Sequence, residues 1–119
     1  HTPRHPCAAV IMAVCGLFLT ALSFADDLTV PQEQGRAVYV KWCAPCHDPG
    51  VTHPGTHALT VKYHGVKSGV LLEWTDLPPA LVKLLVRHGI SVMPQFRKTE
   101  ISDTDLDALA AFLSRNTRQ

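Results

Sequence analysis

The residues best suited to chemistry form one short cluster, Cys43-Ala44-Pro45-Cys46-His47. Two thiols separated by two residues and followed at once by a histidine form the C-x-x-C-H pattern that attaches c-type haem. The thiols add to the two vinyl groups on one edge of the porphyrin, which brings His47 to the iron and presents an imidazole nitrogen to it. The sequence therefore predicts one covalent haem c, attached through Cys43 and Cys46, with His47 as an axial iron ligand.

Three other chemistries use the same residue types. A thioredoxin-type redox pair also contains C-x-x-C, but it expects a strand before the motif, and here a helix-forming segment precedes it. A zinc site would add His53 and His57, although their distance from Cys46 along the chain is much shorter than in zinc fingers. A disulfide between Cys43 and Cys46 is strained at this separation. Haem attachment is favoured over all three.

Met93 is the candidate for the second axial position of the iron. It is the one methionine outside the N-terminal apolar stretch, it lies far downstream of His47, and Pro94 stiffens the non-helical segment around it. A lone methionine is more often a core residue, but this context favours a ligand. A Met/His pair raises the reduction potential and suits electron transfer. The alternatives are no protein ligand or one of four histidines: His53, His57, His64 and His88.

Three segments have the apolar spacing of amphipathic helices, so the fold class is predicted to be all-α. They run from about Gln32 to Trp42, from about Pro78 to His88 and from about Asp103 to Asn116. Gly35 costs up to ~1 kcal/mol inside a helix and indicates close approach by another element. The segment from Asp48 to Leu77 has no periodic pattern and is predicted to be a long irregular loop with one candidate helical turn near its end.

The N-terminal residues 1–25 have the composition of a secretory signal peptide. Arg4 precedes an apolar stretch from Ala8 to Leu19, and Ser23-Phe24-Ala25 supplies small residues for cleavage. The apolar stretch is shorter than the ~20 residues that span a bilayer. We therefore expect a signal peptide, an exported domain over residues 26–119 in the periplasm, and no membrane span after cleavage.

Composition argues against one large class of partners. The 119 residues carry a formal net charge of +1, with 11 Lys and Arg against 10 Asp and Glu. The sequence has no basic run, so nothing in it indicates a nucleic-acid partner. The length is typical of one domain.

Taken together, the motifs resemble the single-haem, Met/His class I cytochromes c. The matching residues are Gly35, Tyr39, Cys43, Cys46, His47, the Val86-Arg87-His88-Gly89 turn, Met93-Pro94 and the segment from Leu109 to Leu113. The resemblance implies a small helical bundle round one haem, with the first and last helices crossing at Gly35 and Phe112. It also implies that a proline carbonyl orients the axial histidine, with Pro54 as candidate and Pro49 as rival.

A finer resemblance points to the cytochrome subunits of flavocytochromes of the p-cresol methylhydroxylase and eugenol hydroxylase type. It rests on Asp76–Lys83, Val86–Gly89, Met93–Phe96 and the acidic Asp103, while the longer Val61–Glu73 stretch is nearer the eugenol type. It implies an FAD-containing partner that oxidises a 4-alkylphenol. The cytochrome, not catalytic by itself, would pass electrons to a copper protein, another cytochrome or an oxidase.

Two alternatives to this assignment stay open: a free-standing electron carrier for another dehydrogenase, and a haem-based sensor of small ligands with a labile Met93 bond. Five side chains are further candidates for holding haem propionates, although charged surface residues are more often simply solvated. They are Tyr63, Trp74, Arg87, Arg97 and Lys98.

Overall fold

The computed structural model describes residues 28–118, and the predicted signal peptide, residues 1–25, lies outside them. The described part is helical, without β-strands, and has one isolated bridge between Ile90 and Met93. This confirms the all-α prediction. The helices are α1 (Val30–Trp42), α2 (Ala44–His47), α3 (Pro54–Tyr63), α4 (Pro79–His88) and α5 (Asp103–Leu113), with one 3-10 turn at Leu71–Glu73.

The three helices predicted from periodicity are α1, α4 and α5, each within a few residues of the predicted ends. Local capping explains two of the boundaries. The Thr29 N–H donates to Gln32 Oε1 at 2.9 Å where α1 begins, and the Asp105 N–H donates to Ser102 Oγ at 3.1 Å where α5 begins. Such side-chain acceptors satisfy N–H groups that a helix start leaves unpaired.

The prediction of one irregular loop from Asp48 to Leu77 is wrong in its middle, because α3 lies there. Pro54 suits the first turn of a helix, and His64, with φ of 49°, ends it in the left-handed region. The buried side chain of α3 is that of Thr56, so no apolar stripe announced the helix. The 3-10 turn at Leu71–Glu73 overlaps the predicted helical turn.

The core is built round the crossing of α1 and α5, the most extensive helix pair, with α4 also packed on α5. A Cβ atom on Gly35 would lie 2.0 Å from the Ala108 carbonyl oxygen and 2.8 Å from Phe112 Cβ. The predicted close approach at Gly35 is therefore confirmed. The Tyr39 and Phe112 rings meet beside it with centroids 5.8 Å apart. The crossing fixes where α1 ends, and with it the start of the C-x-x-C-H motif.

The segment between α3 and α4 is held in place by contacts among side chains and backbone carbonyl groups. The Trp74 indole N–H donates to the Ser68 carbonyl at 2.7 Å, and its ring meets Tyr63 edge-on at 5.7 Å. The Lys67 ammonium lies 3.5 Å from the centroid of the Trp74 ring and 2.6 Å from Asp76 Oδ1. These contacts order a stretch that the sequence left without pattern.

The C-terminal residues are fastened to the start of the α4 segment. Thr117 Oγ1 donates to the Leu77 carbonyl at 2.9 Å and accepts from the Leu77 N–H at 3.1 Å. Within residues 28–118, no helix has both the length and the apolar character needed to cross a membrane.

Candidate haem site

The C-x-x-C-H motif forms a single helical turn directly after α1. The Cys43 N–H still donates to the Tyr39 carbonyl at 2.8 Å, and the His47 N–H donates back to the Cys43 carbonyl at 2.9 Å. Residues three and four apart on a helix share a face, so Cys43, Cys46 and His47 project to one side. A helix, not a strand, leads into the motif, which removes the context that a thioredoxin-type pair requires.

The two cysteines are free thiols in different surroundings, Cys43 buried and Cys46 exposed. Burial, assisted by the nearby Cys46, raises the pKa of the Cys43 thiol to about 12. Redox-active and metal-binding cysteines need a lowered thiol pKa. The environment of Cys43 therefore disfavours the dithiol redox alternative, and no disulfide joins the pair in this fold.

His47 is half-buried, and burial lowers its pKa, which favours the neutral imidazole. The neutral form is the one that ligates metals. Its Nδ1 atom is buried and has no hydrogen-bond partner among the described residues. The donor set therefore fits an iron ligand. The carbonyls of Pro54 and Pro49 do not hydrogen-bond Nδ1, so the expected proline contact is not made.

The close neighbour of His47 is Gly55, in the first turn of α3. A Cβ atom there would lie 2.7 Å from His47 Cε1, 2.9 Å from His47 Nδ1 and 2.7 Å from the Cys46 carbonyl oxygen. Thr56 Oγ1 also donates to the Asp48 carbonyl at 2.9 Å. The backbone of α3 therefore packs directly against the imidazole of His47. The spacing of residues in the sequence did not predict this contact.

Gly55→Ala is expected to destabilise the protein by about 1–3 kcal/mol, the range for an extra methyl group forced into a packed site. The clash is with the backbone and the ring of His47, so the imidazole or α3 must move. Urea unfolding of the haem-loaded protein measures the loss. Ala58→Ser, on the exposed face of α3, is the matched control, and equal stability of the two variants would contradict the contact.

Tyr39 supports the motif from the other side. Its hydroxyl donates to the His47 carbonyl at 3.0 Å, and its ring is buried against Phe112. Burial, reinforced by the Asp48 carboxylate, raises the Tyr39 pKa, so the hydroxyl remains a donor at neutral pH. The hydroxyl ties α1 to the residue predicted to ligate iron.

Tyr39→Phe is expected to cost about 1 kcal/mol, because it removes one hydrogen bond and leaves the His47 carbonyl without its donor. The ring packing should survive the change. Chemical unfolding of the two proteins side by side gives the value. A variant as stable as the parent would show that the hydroxyl contributes nothing to holding the motif.

Met93 lies at the end of a tight turn after α4. The Ile90 N–H donates to the Met93 carbonyl at 3.1 Å, and the Met93 N–H donates to the Ile90 carbonyl at 2.9 Å. Ser91 takes a positive φ of 53° at the turn. Gly89 has no room for a side chain, since a Cβ atom would lie 2.6 Å from the Met93 carbonyl oxygen. The backbone of Met93 is therefore held close to the end of α4.

An aromatic contact joins the Met93 segment to the motif. The rings of Trp42 and Phe96 meet edge-on, with centroids 5.9 Å apart. Trp42 immediately precedes Cys43, and Phe96 follows Met93 by three residues. The two predicted halves of the site therefore lie in neighbouring segments of the fold. Their roles as thioether donors and axial ligands stay predictions.

Several other side chains that were candidates for binding the haem or a metal make contacts with protein groups in this structure. Each of four suggested propionate-binding side chains has at least one protein acceptor: Trp74, Arg87, Arg97 and Lys98. His53 Nδ1 lies 3.2 Å from the Pro45 carbonyl oxygen. Within the described residues, no three His, Cys, Asp or Glu side chains are grouped to hold a metal ion, so the zinc alternative lacks geometric support.

Comparison with protein families identifies the family to which this chain belongs. Residues 30–113 match the family described as cytochrome c oxidase, cbb3-type, subunit III. The chain belongs to this cytochrome c family, and it is a class I c-type cytochrome, a class that binds haem and transfers electrons.

Among known proteins, the chain is 35% identical over 80 residues to the 4-cresol dehydrogenase (hydroxylating) cytochrome c subunit of Pseudomonas putida. The match covers 67% of this chain and 58% of that protein. It supports the predicted resemblance to that subunit. No solved structure matches the chain.

Proposed function

We propose that this chain is the electron-accepting cytochrome subunit of an exported, flavin-dependent hydroxylase of 4-alkylphenols of the p-cresol or eugenol type. The observation that carries the electron-transfer role is the helical turn that puts Cys43, Cys46 and a neutral, half-buried His47 on one side. The likeness to the cytochrome subunit named for 4-cresol dehydrogenase supports the flavoprotein partner.

Cys43 and Cys46 would hold one haem c through thioether bonds, with His47 and Met93 as its axial ligands. The bound haem supplies a one-electron iron couple. The protein supplies the neutral imidazole of His47 and a thioether that raises the potential. Because Cys46 is exposed, this side of the site lies at the surface, where another protein can approach.

The remaining parts of the proposal concern location and partners. Residues 1–25 would direct export to the periplasm, leaving residues 26–119 as the mature domain. There the cytochrome would take electrons one at a time from an FAD-containing subunit. It would pass them to a copper protein, another cytochrome or an oxidase.

The test is electron uptake from an FAD-containing hydroxylase subunit, with any flavoprotein encoded beside this chain as the first choice. The two proteins are produced together in a periplasm, and their co-elution is measured. The flavoprotein is then reduced anaerobically with p-cresol or eugenol, and reduction of the cytochrome is followed by its visible spectrum. An unrelated c-type cytochrome is the control for non-specific transfer. Mass spectrometry of the exported chain should show one haem adduct.

The outcomes separate the alternatives. Co-elution and fast reduction of this cytochrome, but not of the control, support the proposal. A protein that elutes alone and takes electrons from another dehydrogenase is a free-standing carrier. A spectrum without a Met–Fe(III) band, together with tight carbon monoxide binding, indicates a small-ligand sensor.

A further inference from the structure

Arg87, in the last turn of α4, has a side chain that is 19% exposed and that joins three parts of the fold. Its Nη1 donates to the Phe96 carbonyl at 3.0 Å, and its Nη2 donates to the Ile101 carbonyl at 2.9 Å. The same Nη2 lies 2.9 Å from Asp103 Oδ1. One guanidinium therefore binds two backbone carbonyls and a carboxylate.

These three acceptors lie in the middle of the segment that carries Met93, near its end and just after it. We define the Met93 loop as residues 89–102, which connect α4 to α5. Phe96 lies in the middle of the Met93 loop, Ile101 lies near its end, and Asp103 begins α5. The Phe96 N–H also donates to the Val86 carbonyl at 2.8 Å. The Met93 loop is therefore fastened to α4 through both backbone groups of Phe96.

Lysine could not make the same set of contacts. A guanidinium presents several N–H groups in a rigid planar fork, whereas an ammonium is a point charge on a flexible stem. Hydrogen bonds from a charged donor are stronger than neutral ones. Asp103 is held in place by a second cation, since Lys98 Nζ lies 2.7 Å from its Oδ2. The position therefore demands the shape of arginine as well as its charge.

We propose that Arg87 is a positioning residue for Met93: its guanidinium holds the Met93 loop where the thioether can occupy the axial position. This inference rests on the proposed role of Met93 as the iron ligand. Loosening the Met93 loop lowers the fraction of molecules with the thioether in place. A competing ligand then binds more tightly, because its apparent affinity follows the fraction of competent molecules.

The experiment is an imidazole titration of the oxidised, haem-loaded protein, followed by the weak far-red band expected of a Met–Fe(III) bond. Arg87→Gln removes charge and fork together, and Arg87→Lys removes the fork but keeps the charge. We expect Arg87→Gln to bind imidazole about tenfold more tightly than the parent, which corresponds to ~1.4 kcal/mol. Arg87→Lys should lie between the two.

Thr117→Val is the matched control for general loss of stability. It removes two hydrogen bonds to Leu77 that belong to the C-terminal residues and not to the Met93 loop. The control should lose stability in urea and keep the imidazole affinity of the parent. If it gains affinity as much as the arginine variants do, the effect is general destabilisation and the inference is overturned.

Met93→Ala separates failure of this inference from failure of its premise. If Met93→Ala binds imidazole tightly and both arginine variants match the parent, the role of Arg87 is overturned while Met93 stays a ligand. If the parent already binds imidazole as Met93→Ala does, Met93 is not the ligand and the inference falls with it. Should Arg87→Gln fail to fold, Arg87→Lys decides the question.

Discussion

Met93→Ala is expected to keep its covalent haem and to lose a large part of its reduction potential. A thioether ligand favours the reduced iron relative to water or a second nitrogen ligand, so its removal lowers the potential. Axial ligands set haem potentials over a range of roughly 0.8 V, and we expect a fall on the order of 0.1–0.3 V. Redox titration followed by the visible spectrum measures it.

The matched control for this variant is Val92→Ala. Val92 is 87% exposed and adjoins Met93 in the same turn, so its truncation changes the turn but not the thioether. Its potential should stay close to that of the parent. An unchanged potential in Met93→Ala would show that Met93 does not ligate the iron, and one of the histidines or an open position would take its place.

Gly35→Ala is expected to lower the free energy of unfolding by about 3 kcal/mol, near the upper end for overpacking. A Cβ atom at this position would meet the Ala108 carbonyl oxygen at 2.0 Å. That atom belongs to the backbone of α5, so no rotamer change relieves the clash and the two helices must move apart. The gain of up to ~1 kcal/mol in helix propensity from glycine to alanine is too small to offset this.

Thermal unfolding should show the loss as a fall in Tm of roughly 10–20 °C for a domain of this size. Ala37→Ser, on the exposed face of α1, provides the comparison and should shift Tm by a few degrees at most. If the Tm of Gly35→Ala were the same as that of this control, the close crossing of α1 and α5 would be disproved.

The sequence allowed α1, α4 and α5 to be predicted because each presents an apolar stripe to another helix. The same rule failed for α3, whose close contacts are made by Gly55 and Thr56. Neither residue contributes to an apolar stripe. This helix owes its place to the fit of its backbone against the motif, which is a property of the folded chain.

The candidate site, like the fold, could be predicted from the sequence only in part. Cys43, Cys46 and His47 could be chosen from spacing alone, because their chemistry depends on neighbours along the chain. The supports of the site could not be predicted, since the hydroxyl of Tyr39 and the guanidinium of Arg87 bind backbone carbonyl groups eight and nine residues further along the chain. Any residue has a carbonyl, so sequence holds no signal for which one is bound.

The unequal burial of the two cysteines has a consequence for biogenesis. In the folded chain Cys43 is buried in the core and burial raises the pKa of its thiol, while Cys46 is exposed. The proposed thioether bond to Cys43 would therefore have to form before the core closes over that residue. If Cys43 and Cys46 hold the haem as proposed, attachment has to precede the final packing of the core, so the chain has to stay unfolded at the motif until both thiols have reacted.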